Sequence, residues 1–149
     1  MFRAWIEARD PRLAGRVSPK VAPPGRPDPY LVYALSNPDR VTHLRGHSDS
    51  AQSGLTGGTL ELQVWSRDYE LGAAIAHRLA GHPNDPGGLD GFRGGMAHPA
   101  VAGFPAHGLN LSPVLLADAD EYVEVDEAGH ETGWHCQRSE YRFHYQEVR

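Results

Sequence analysis

Hydrophobic and polar positions alternate and regroup along this chain so as to predict its elements. Leu60, Leu62 and Val64 alternate with Glu61, Gln63 and Trp65, the period of two expected of a strand with one face on a core. From Leu71 the spacing changes, and Leu71, Ala74, Ile75 and Leu79 fall on one stripe of a helix. Ser66 and Asp68 lie between the two patterns, and either can cap the helix by accepting its free N–H groups. Asp68 and Glu70 place negative charge in the first turn, where the helix dipole favours it. Gly81 and Pro83 stop the helix. A strand passing directly into a packed helix, with nothing catalytic at the junction, points to a structural part.

Residues 2–13 predict a helix with Phe2, Trp5, Ile6 and Leu13 on one side and Arg3, Glu7 and Arg9 outward. Arg16 to Val21 predicts a brief strand before the turn PPGRPDP, which no helix or central strand tolerates. Tyr30 to Leu35 is apolar on both faces, the signature of a central strand. Residues 36–58 and 82–108 read as long polar, glycine- and proline-rich loops, too poor in apolar residues to hold a core element. Leu109 to Asp118 predicts a strand interrupted at Ser112-Pro113, at an edge or a bulge. The acidic stretch from Asp118 to Glu131 ends in a turn near Ala128-Gly129. Trp134 to Val148 closes as a strand in which Tyr141, Phe143 and Tyr145 alternate with Arg142, His144 and Gln146. Trp5 and Trp65 are expected to pack the helices onto the sheet, and Trp134 to be partly exposed at a contact. Residues 1–149 therefore read as a single α+β domain, a mainly antiparallel sheet of four to five strands with two helices on one face. The loops 36–58 and 82–108 read as assembly arms that order against neighbours.

At 149 residues the length suits one domain, and 17 glycines with 12 prolines cluster between the periodic segments, marking loops. The net charge of −5 argues against a general affinity for nucleic acid, since phosphate binding needs a basic surface. The basic residues are arginines except for Lys20, a bias that interface pairing and genome composition both account for. Cys136 is the only cysteine, so no intrachain disulfide forms and no oxidising compartment is required. MFRAWIEARD shows no signal-peptide pattern, and no run approaches the ~18 apolar residues of a membrane span, so an aqueous intracellular setting is expected.

The candidate chemistry is sparse. Nine histidines suggest metal pairs at His43/His47, His77/His82 and His98/His107, and a group at His130, His135 and Cys136. A zinc site needs three or four converging ligands at recognisable spacings, and neither HExxH nor CxxC is present. Most of these histidines sit in glycine-proline loops, which favours solvated side chains. The carboxylates Asp118/Asp120/Glu121 and Glu124/Asp126/Glu127 read as a solvated face and not as an acid–base pair in a pocket. His135 and Cys136 are neighbours on a strand and point to opposite faces, so they form no nucleophile–base pair. The glycine pairs at 57–58, 87–88 and 94–95 lack phosphate-cradling frames and read as loop punctuation. No catalytic, cofactor-binding or metal residue is assigned. A small metal-dependent enzyme using the loop histidines and the acidic residues is the competing class.

An ordered set of pieces spans nearly the whole chain. It comprises an N-terminal helix, V-x-P-x-V-A-P at Val17–Pro23, P-Y-L-V-Y at Pro29–Tyr33 and L-x-V-W ending at Trp65. Then come D-Y-E-x-G-x-x-I from Asp68, L-x-G-F-R-G at Leu89–Gly94, D-x-D-E-Y at Asp118–Tyr122 and Y-R-F-H-Y at Tyr141–Tyr145. In this order they resemble the tail terminator (tail-completion) family of long-tailed bacteriophages and related particles. The stretch Gly95 to Gly108 is longer than that family's usual link. The resemblance implies a virion structural protein, no enzyme, assembled in the bacterial host cytoplasm as a ring, usually of six subunits. Such a ring caps the tail tube, ends its polymerisation and joins it to a neck or connector protein, with DNA passing through the lumen without specific binding and no cofactor or membrane involved. Another neck or head–tail joining protein sharing the core is the nearest alternative. The expected contact residues are Arg40, His43, Arg45 and His47 in the first arm, Arg93, His98, Phe104 and His107 in the second, and Trp134.

Overall fold

The computed structural model describes residues 2–36, 56–92, 94–97, 108–111 and 113–148, with side chains for all of these except 56, 94–97, 108–111 and 145–148. Helix α1 (Phe2–Arg9) is shorter than its apolar stripe suggested. Asp10 takes an extended backbone, Pro11 opens a 3₁₀ turn over Pro11–Leu13, and the Asp10 carboxylate accepts the Arg12 N–H, so α1 stops at the residue that caps the next turn. Phe2, Ile6 and Leu13 are buried all the same.

Helix α2 (Tyr69–Ala80) follows strand β3 (Thr56–Ser66) after two residues. Asp68 is its cap, accepting from the N–H groups of Glu70 at 3.0 Å and Leu71 at 3.2 Å. Ser66 instead fixes the strand-to-helix corner, its hydroxyl accepting from Asp68 N–H and donating to Asp28. At the other end Gly81 has φ +92, a backbone that L side chains rarely adopt, and its N–H still bonds the His77 carbonyl.

The remaining strands are β1 (Val17–Pro19), β2 (Tyr30–Ser36), β4 (Gly94–Ala97), β5 (Gly108–Leu111), β6 (Leu115–Val125) and β7 (Glu131–Val148). They form one sheet of seven strands in the order β1-β2-β3-β7-β5-β4, with β6 also on β7. The class is α+β and mostly antiparallel, as the patterning predicts; β1 pairs with β2 in parallel. The long strand β7 organises the rest. One of its edges takes β3, from Ser66↔His135 to Thr56↔Tyr145. The other is shared end to end, β6 occupying Glu131 to Arg142 and β5 occupying Tyr145 to Val148.

Both helices lie on one face of this sheet. Phe2, Ile6 and Leu13 meet Ile75 and Leu79 over Leu31, Leu60, Leu62, Val64, Tyr141 and Phe143 in a single cluster. Each such side chain contributes about 1.5–3 kcal/mol when fully removed from water. The aromatic alternation of the last strand is borne out at Tyr141 and Phe143, both buried.

Several expectations are corrected. Gly57 and Gly58 are strand residues paired with β7, and Gly94 and Gly95 are strand residues paired with β5, not loop punctuation. The acidic stretch from Asp118 is part of an eleven-residue strand. Part of the segment 82–108 is not an arm: Leu89 is fully buried, and the N–H groups of Leu89 and Asp90 bond the carbonyls of Leu79 and Ala80. Gly88 makes that return possible, since a Cβ there would lie 2.2 Å from the Gly81 nitrogen. Arg9 holds the same corner, donating to the carbonyls of Arg78, Asp85 and Pro86. The expectations for 37–55 and 98–107 lie outside the described residues.

Candidate functional site

The face of the sheet away from the helices carries the polar and aromatic groups that the core does not use. The pleat sends Tyr30 and Val32 of β2, Glu61, Gln63 and Trp65 of β3, Trp134, Cys136, Arg138 and Glu140 of β7, and Tyr122 of β6 to this side. Tyr30, Val32 and Trp134 are buried there in a second cluster, with Trp65 packed on them.

Aromatic geometry holds the cluster. Tyr30 and Trp65 stack with planes 10° apart, while Trp134 meets Tyr30 and Tyr122 meets Trp65 edge-on at 5.4 and 5.5 Å. In place of a helix, two guanidiniums cover it: Arg26 lies 4.6 Å and Arg67 5.2 Å from the Trp134 ring centroid. Arg26 comes from the turn 23–29 and has φ 41, left-handed for a side-chain-bearing residue. Its two bonds to Glu124, 2.9 and 3.2 Å, and its place over Trp134 offset that cost. The bonds from Arg26, then one from Thr132, hold the Glu124 carboxyl below the usual range.

Beyond the aromatics lies a belt of charge. Trp65 donates to Gln63, Gln63 donates to Glu61, and Glu61 accepts from Arg138 at 2.9 Å, a line of bonds along alternate residues of β3 and across to β7. Arg138 also binds Glu140 at 3.2 Å and Asp118 at 3.4 Å, with Asp120 at 3.7 Å. One guanidinium thus faces four carboxylates, and the bond to Glu61 raises its pKa most. Such a surface offers acceptors and apolar contact to a cationic partner and repels phosphate.

Reactive groups are muted. Cys136 is fully buried, and burial pushes its thiol up to about 11, so it stays protonated at neutral pH. His135 lies on the opposite, helix-bearing face against Tyr69, so the separation expected of these two neighbours is seen. Among the described residues no group of three or more His, Cys, Asp or Glu side chains is arranged to hold a metal ion. No helix among them is long and apolar enough to cross a membrane.

Of the expected contact residues, Trp134 is the one whose side chain is described, and it is corrected: it is 4% exposed, closed off by Tyr30, Arg26 and Arg67. Trp65 likewise packs on this face and not beneath a helix; Trp5 does pack its helix, edge-on to Phe92. Arg40, His43, Arg45, His47, Arg93, His98, Phe104 and His107 lie outside the residues whose side chains are described. The Arg26–Trp134–Glu124 arrangement escapes sequence reasoning, because its members are far apart in the chain. The signal available is Tyr30 to Leu35, apolar on both faces and so in need of cover on both.

Comparison with known proteins adds no relative: no protein-family model matches the chain, and neither a curated protein nor a solved structure does.

Proposed function

We propose that this chain is a tail terminator of a long-tailed bacteriophage or related particle, a virion structural protein. In this reading it assembles as a ring, of six subunits by the family's usual number, caps the tail tube and joins it to the neck. The observation that carries the reading is the ordered series of motifs from Val17 to Tyr145. Two features support it. Those motifs fall on successive parts of one α+β body, namely β1, β2, β3 with α2, the Leu89 corner, β6 and β7. The net charge of −5 suits a protein that handles a passing genome without holding it.

The direct test adds the purified chain to self-assembling tube protein of the same particle and follows tube length by electron microscopy. Tubes of arrested length with a knob at one end are expected. Tubes that elongate as if the chain were absent would contradict the proposal.

A further inference from the structure

Exposed apolar side chains gather on one strand. Leu115 (59% exposed), Leu116, Tyr122, Val123 and Val125 (55%) all belong to β6, and β7 is that strand's only partner among the described strands. An unpaired edge with open apolar residues is a surface that pairs with another chain. Its charge restricts the choice: residues 115–133 hold seven carboxylates from Asp118 to Glu131 and no lysine or arginine. Arg138 and Arg26 answer some of these, but Glu127 and Glu131 form no ion pair among the described residues.

The opposite edge of the sheet has the complementary character. Around β1 stand Arg12, Arg16 and Lys20, and from Arg9 to Arg26 the only acid is Asp10. Asp10 binds Arg12, Arg16 donates to the carbonyls of Asp28 and Pro29 and so keeps its charge, and Lys20 forms no ion pair among the described residues. Beside them Val21 is 69% exposed. Backbone pairing is poorly served at this edge, since Pro19 has no N–H and its carbonyl already accepts from Val21. The contact it offers is through side chains.

We infer that the acidic, apolar β6 edge of one subunit docks on the basic β1 flank of a second copy, head to tail. This rests on the self-assembly reading above. A two-fold contact would set β6 against β6, acid on acid, or β1 against β1, base on base, and both repel. Only the heterologous pairing matches both edges, and it is the kind that closes into rings.

The test compares full-length wild type with Glu127→Lys/Glu131→Lys, with Arg16→Glu/Lys20→Glu, and with all four changes together. Light scattering against concentration follows assembly, and circular dichroism checks the fold. Each two-site reversal is expected to raise the concentration for half-assembly about tenfold or more, and the four-site variant to restore it. Folded reversal variants that assemble like wild type, or a four-site variant that fails to recover, would overturn the inference while leaving self-assembly standing. Should one pair unfold the chain, the other reads the same contact from the opposite side. A wild type that stays monomeric at every concentration removes the self-assembly reading, and this contact with it.

Discussion

On one face of the sheet Leu60, Leu62 and Val64 disappear beneath two helices; on the other Trp65, Tyr30 and Trp134 are closed over by two arginines and a short turn. The helix-bearing face is held by apolar area removed from water, which tolerates any partner of the right shape. The other face is held by oriented rings, cation–π contacts and charged hydrogen bonds, each needing a particular partner. The difference teaches that, among the described residues, this second face is closed by side chains and a turn and not by a further layer of helices. It buries its aromatics and still presents carboxylates outward.

The largest expected effects test whether the two faces are equal partners in stability. Trp134→Ala should cost about 3–5 kcal/mol and Ile75→Ala about 2–5 kcal/mol in urea unfolding, each by leaving a cavity. A loss below about 1 kcal/mol at Trp134 would reduce the second cluster to surface decoration. Next in size is the corner that joins the faces: Asp68→Ala removes the acceptor for two N–H groups of α2 and should cost about 0.5–2 kcal/mol.

The smallest effects separate the faces by their response to solution conditions. Arg138→Met leaves Glu61, Asp118 and Asp120 without their cation and Glu140 with Arg142 alone, so it should destabilise at low salt and progressively less as salt screens them. The Ile75 variant should show no such salt dependence. Glu124 has a carboxyl pKa lowered from 4.5 by Arg26, so the folded state binds its proton less readily than the unfolded chain. Its contribution is present above pH 4.5 and is lost as pH falls through the lower folded value. Thermal unfolding of Glu124→Gln should therefore converge with wild type in acid and fall behind it at neutral pH.

The helix-bearing face is legible in the sequence because one-sided burial writes a period: two from Leu60 to Val64, helical from Leu71 to Leu79. Where both sides of a strand meet solvent, as along β6, no period is written, and Asp118 to Val125 reads as a charged stretch. Leu89 is hidden for another reason. A single buried residue inside a glycine-proline segment carries no periodicity, and its burial depends on Gly88 lying against Ala80 and Gly81. Trp134 looks exposed in the sequence because its covers, Arg26 and Arg67, are distant in the chain and are polar residues that ordinarily mark a surface. Of the candidate interface, the charge asymmetry is written in the chain; the placing of acid and base on opposite edges requires the strand order.

The central claim, a body shaped to associate with copies of itself, is tested most directly by native mass spectrometry of the full chain across a concentration series. The account predicts one dominant closed assembly of fixed subunit number, six if the family's usual count holds. A mass corresponding to a single chain at every concentration would contradict it.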